Sequence, residues 1–413
     1  MRPLLALLAL TACAPRLSPA TSLALHTALR TTPQPASDDP EAPRSDLDGL
    51  REIVGAARVV GLGQPGPGAR ELTRLHHRVL RLLVEETGFT GLALDIDATA
   101  ALALDAFVQG QDIDLDAALL APGDRGLATV EMRAVMLYLR GQNARPGRSI
   151  RVFGLAPNDP EAAAEVTLAY LQVVDPAYVP KARSLLAGTQ QLGVDAVRAR
   201  LDERRDDYVA LSNAQRWSTA RQQAELVAQA RRMAETWEFE AGEFARARNA
   251  EWALVQLGPG KLVIWADNRR VARQVPGAAP AMGDFLNQWF PADYRALAAS
   301  FSDGSLLAAH DQHDEHTLCG VAIPPPRAGS LDAALVNAGA FTLLDLRARS
   351  EPELRRPQVL RSLAGGRAED SVLRPAIAFD AILGLRHVHP STPLGVHAAR
   401  STAGRCYTLI PAP

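Results

Sequence analysis

The chain has 413 residues, 47% of them hydrophobic, which is enough apolar side chain to bury a large core in one domain or two. Its formal net charge is −2, and its basic residues are interspersed with Asp and Glu. That balance gives no electrostatic case for nucleic acid as a partner.

The N-terminus begins Met1-Arg2 and runs apolar from Leu4 to Leu10, too short to span a bilayer and the right length for a signal core. The run closes on Leu10-Thr11-Ala12-Cys13, which resembles the lipobox of bacterial lipoproteins. The resemblance implies that residues 1–13 are a signal peptide and that Cys13 is lipidated, attaching the chain to a membrane. An ordinary cleaved signal with a chance cysteine is the alternative. Ala14 after the cysteine resembles lipoproteins sent to the outer membrane, so the expected location is the cell envelope, anchored there and facing the periplasm. Residues 14–45, rich in Pro, Ser and Asp, read as a flexible tether. In an oxidising compartment Cys319 and Cys406 are either one disulfide or two buried thiols.

After the tether, apolar periodicities alternate. A helix over Leu47–Ala57 leads to a strand over Arg58–Leu62, a Gly/Pro turn, and an amphipathic helix over Ala69–Thr87. A strand over Leu92–Asp95, helices over Ala98–Gln109 and Val130–Gly141, and a strand over Ile150–Gly154 follow. This is the rhythm of an α/β fold, a mostly parallel sheet flanked by helices. Residues 46–158 form its first part. From 159 to 257 only helical periodicity persists, over Ala162–Val174, Ala182–Leu201 and Asp206–Gln256, which reads as an inserted all-helical subdomain. Residues 258–413 resume the core, with strands over Lys261–Ala266, Tyr294–Phe301, Ser305–Ala309, Phe341–Asp345 and Ala376–Leu383.

The first turn is Gly61-Leu62-Gly63-Gln64-Pro65-Gly66-Pro67-Gly68, followed by Arg70-Glu71. It fits a dinucleotide-binding loop in outline, but Pro65 and Pro67 remove amides that would cradle a pyrophosphate. Several stretches together resemble the erythromycin esterase family. They are this turn with His77-Arg78-Val79-Leu80-Arg81, Phe107-Val108-Gln109-Gly110, Ile264-Trp265-Ala266 with Asn268, Met282-Gly283, and Phe379-Asp380-Ala381. The resemblance implies an α/β hydrolase with a helical insertion that opens a lactone ester with an activated water. That chemistry needs a base, and carboxylates and Arg to orient it.

The proton-handling positions depart from the family pattern. Its Gly-Glu-x-x-His-Gly loop has Gln64 at the Glu position and Pro67 at the His position. Pro67 has neither a titratable group nor a donor. The Arg expected on the next helix aligns with His76, and the Glu ending the second strand with Asp95. The later Trp-Ala-His-Asn-x-His pattern reads Trp265-Ala266-Asp267-Asn268-Arg269-Arg270, so Asp267 and Arg270 occupy the histidine positions. A further helix motif is eroded over residues 246–252. The leading expectation is a catalytically degenerate envelope lipoprotein that keeps a cleft for a small-molecule ligand.

Two other readings stay open. A hydrolase of an ester or lactone could use Asp95, Asp267 or His76 as relocated acid/base groups; as capping or ion-paired residues they would be inert. Arg70 and Glu71 could bind substrate, or pair on the surface. A metal-binding protein could use His310, His313 and His316, which could hold zinc or copper or simply line a polar hairpin loop. No cofactor is otherwise expected. A histidine from elsewhere, such as His310 or His387, set beside Asp95 would restore a base.

Overall fold

A computed structural model describes residue 17 and residues 39–121, 125–236, 239–274, 277–309, 317–336, 341–347, 349–364, 367–394, 396–401 and 404–409. The expected Cys13 anchor and the His310–His316 loop lie outside these residues.

Helix α1 (Asp48–Val54) leads to β1 (Val59–Gln64), α2 (Arg70–Glu86) and β2 (Phe89–Asp97). Then come α3 (Ala101–Val108), α4 (Leu115–Leu120), α5 (Val130–Asn143) and β3 (Arg151–Ala156). Six helices follow without an intervening strand: α6 (Pro160–Val174), α7 (Val179–Ala187), α8 (Gln191–Glu203), α9 (Arg205–Leu211), α10 (Ala214–Thr236) and α11 (Phe239–Gln256). The core resumes with β4 (Lys261–Asp267), α12 (Asn268–Val271), α13 (Met282–Trp289), β5 (Tyr294–Ala309) and β6 (Thr317–Ile323). It ends with α14 (Leu331–Val336), β7 (Phe341–Asp345), β8 (Gln358–Ala364), β9 (Arg367–Leu373), α15 (Pro375–Ala378), β10 (Ala381–Val388), β11 (Val396–Ser401) and β12 (Gly404–Leu409).

The fold is α/β. Strands β3, β2, β4, β1, β5 and β10 lie side by side and parallel, and β7 runs antiparallel to β10. Every residue of β1 is buried, as expected for a parallel strand covered on both faces. Gly61 and Gly63 let α12 press onto β1: a Cβ on either would come within 2.8 Å of Val271. The first five of these helices, α6 to α10, enclose their own apolar cluster around Leu168, Leu171, Val194, Val197, Leu201 and Val227, while α11 packs its Ala247, Ala250 and Leu254 into the core of the sheet.

Three elements differ from the sequence reading. The two strands expected over 294–301 and 305–309 are one, because Gly304 at φ 123° lets the chain continue past Val388 without a break. The strand expected over 376–383 splits: Pro375 starts a short helix at its first turn, and the strand begins at Ala381. Strand β6 extends the sheet antiparallel from β5, and β12 and β11 follow it. A strand after the 310–316 loop and one at the C-terminus, here β6 and β12, were expected without bounds, and no expectation covered β8, β9 or β11.

Candidate functional site

Strands β1, β2 and β4 end together, with Gln64 in register with Asp267 and Leu94 in register with Trp265. The ends of parallel strands in an open α/β sheet are where such folds place ligands. Asp95 and Asp267 are therefore brought to one place, and so is Arg270 from the first turn of α12.

A closed ionic group occupies that place. Arg270 bonds Asp95, reaches Asp267 Oδ2 at 3.0 Å through Nη1, and donates from Nε to Glu243 Oε1 at 3.0 Å. Arg246 holds the other oxygen of Asp95 at 2.8 Å. The backbone N–H of Met282 donates to Glu243 Oε2 at 3.2 Å. The side chain of Glu243 is 1% exposed. Asp267 also accepts the backbone N–H of Arg270 at 2.9 Å, capping α12.

Burial raises the pKa of Glu243, and Arg270 and Arg246 oppose that rise. Burial likewise raises Asp267, with Arg270 opposing. Burial alone would lower Arg270, but Asp95, Asp267 and Glu243 outweigh it and drive its pKa up. Three carboxylates and two guanidinium groups thus satisfy one another.

Beside this group Trp265 donates its indole N–H to Gln64 Oε1 at 2.9 Å. His76 sets its ring edge-on to Trp265, with centroids 4.8 Å apart. It is fully buried, and neither ring nitrogen makes a well-formed hydrogen bond. Burial drives its pKa down to about 3, offset only in part by the Gly63 backbone. It is neutral at physiological pH and shut off from solvent. Asn268 is spent on structure: its side chain donates to the Ala299 carbonyl at 2.7 Å and accepts the Ala299 N–H at 3.0 Å.

The β1–α2 turn is fixed from outside. The Gly68 carbonyl accepts from Leu307 and Ser391, and a Cβ on Gly68 would lie 1.9 Å from the Leu307 carbonyl oxygen. Pro67 sits in that turn, half-buried. Arg70 pairs with Glu71 at 2.9 Å. Glu71 also accepts the His389 ring at 2.9 Å and the His389 backbone N–H at 2.6 Å. His387 pairs with Asp303, its cross-strand neighbour, and has no contact with Asp95.

A cavity of about 890 Å³ lies between α6, α7 and α10, lined among others by Asp159, Leu168, Arg183, Val227 and Arg231. None of the ionic group lines it. Among the described residues no set of three or more His, Cys, Asp or Glu could hold a metal ion. Cys319 is disulfide-bonded, and the β6–β12 register sets it opposite Cys406.

Sequence reasoning missed Glu243, as well as Arg246 as a partner of Asp95 and His389 as a partner of Glu71. Glu243 and Arg246 sit three apart on one helix, but nothing local marked them as partners of strand ends far along the chain.

The sequence model of the family described as "Erythromycin esterase" matches residues 84–388, well over half of the chain, beginning after the β1–α2 turn. A type II erythromycin esterase of Escherichia coli is 27% identical over 116 residues, which are 28% of this chain and 27% of that protein, so the match spans about a quarter of the relative's length. A solved Bacillus cereus protein superposes with a TM-score of 0.79 at 20% identity, covering 90% of this chain and 98% of that one. A structure described as a succinoglycan biosynthesis protein gives 0.78 at 19% identity, covering 91% and 99%. A mutant erythromycin esterase, EreC, in its open conformation gives 0.68 at 18% identity, covering 88% and 98%. At these identities the structures speak for the fold alone.

Proposed function

The chain belongs to the erythromycin esterase family, and from that premise we propose that it is a member without hydrolytic activity, keeping a ligand-binding role at the cell envelope. One observation carries the reading: Arg270, at a position where the family pattern has histidine, is locked between Asp95, Asp267 and Glu243. A guanidinium in that setting stays charged and cannot accept a proton from water. The same bonds weigh against Asp95 or Asp267 as relocated bases, and burial weighs against His76. Room for a ligand is available in the 890 Å³ cavity of the helical bundle.

The test is equilibrium dialysis of the full chain against erythromycin, followed by mass analysis of the recovered compound. The expected result is retention with the lactone intact. Recovery of a ring-opened, hydrated product would overturn the proposal, and absence of retention would remove macrolides as ligands.

The envelope location rests on Cys13 and its apolar leader. Cys13→Ala is expected to move the protein from the membrane fraction to the soluble one, and an unchanged distribution would contradict lipidation.

A further inference from the structure

We propose that His387 and His389 form a two-imidazole site for a late first-row divalent metal ion, copper(II) ahead of zinc(II). This goes beyond the reading above and does not depend on it.

The site is built by strand geometry. His387 lies near the end of β10 and His389 just past it, with Val388 buried between them and both histidines exposed on the same face. That is the two-residue period of an extended chain. Their ring centroids are 4.8 Å apart.

Each ring is oriented through Nδ1 by a carboxylate from a different element. His387 Nδ1 meets Asp303 of β5, and His389 Nδ1 meets Glu71 of α2 at 2.9 Å. A carboxylate at Nδ1 holds the proton there, which makes Nε2 the lone-pair nitrogen. Among the described residues neither Nε2 has a hydrogen-bond partner. This pairing, an outward Nε2 with the other nitrogen bound to a carboxylate, is the usual support behind metal-ligating histidines, and it raises ligand basicity.

Glu71 is fixed in place by the His389 backbone N–H at 2.6 Å, the His389 ring at 2.9 Å and the Arg70 guanidinium at 2.9 Å. The His389 backbone is itself pinned, since Arg70 donates its N–H to the His389 carbonyl at 2.8 Å. Two imidazoles and no thiolate favour copper(II) over zinc(II) in the divalent series. With two protein donors, water completes the coordination and the ion exchanges readily.

The experiment titrates untagged full chain with copper(II) by calorimetry and records the electron paramagnetic resonance spectrum of the complex. The expected result is one ion per chain with nitrogen hyperfine coupling. His387→Gln and His389→Gln, which remove the imidazole Nε2 donors, each weaken binding at least tenfold. Asp303→Asn, which touches only the support, weakens it about ten- to a hundredfold. Replacing His310, His313 and His316 together by Ala leaves the tight ion in place. Absence of copper binding, full binding in the His387→Gln/His389→Gln double variant, or loss confined to the 310–316 variant would each overturn the proposal.

Discussion

Arg270 bonds three carboxylates at once, and removing it would leave Glu243 buried with its charge poorly matched. Arg270→Ala is therefore expected to destabilise the fold by about 3 kcal/mol in urea unfolding, in line with breaking one side of a buried ion pair. A loss below about 1 kcal/mol would mean that the group is looser than its geometry. His76 gives a pH test. Its pKa falls to about 3 on folding, from an ordinary value near 6.5, so the unfolded chain binds more protons between those values. The stability from keeping it neutral is full above pH ~6.5 and shrinks as pH falls towards 3, by about 1.4 kcal/mol per unit. His77, lowered to about 4 by burial, acts in the same sense. Urea midpoints at pH 7.5 and 5.0 check this: His76→Leu should lose about 2 kcal/mol less than the parent over that range. At this scale the sequence singled out Asp95, Asp267 and Arg270 before the structure brought them together. It did not show that Glu243 and Arg246 complete the group, because partners drawn from a distant helix leave no local pattern.

At the scale of elements, the β1–α2 turn depends on one glycine. Gly68 has φ 88° and abuts the Leu307 carbonyl. Gly68→Ala should cost about 1–3 kcal/mol through strain alone, read as a lowered unfolding midpoint. A neutral effect would contradict the packing of the turn against β5. The β6–β12 register puts Cys406 opposite Cys319, and we propose that these two form the bridge in which Cys319 takes part. Cys406→Ser should then lower stability by about 2–4 kcal/mol, Cys319→Ser by the same amount, and the double variant by no more than either. Additive losses would rule the pairing out. The parallel strands were legible because burial on both faces makes them continuous apolar runs, such as Val59–Gln64. Strand β9, Arg367–Leu373, was not, because its charged residues have little strand preference and only pairing with β8 makes it a strand.

For the whole molecule, one sheet carries the strand ends that gather the ionic group, and a separate helical bundle carries the 890 Å³ cavity. The fold class was readable from the alternation of strands and helices and from the helical run between β3 and β4. The separation between cavity and ionic group was not readable, since it depends on how α6, α7 and α10 pack. The central claim is that the strand ends hold no free base. It is tested most directly by the rate of macrolide lactone hydrolysis by the purified chain from pH 5 to 9. The account predicts a rate equal to the buffer blank at every pH. Turnover above the blank that disappears in Asp267→Ala would contradict it.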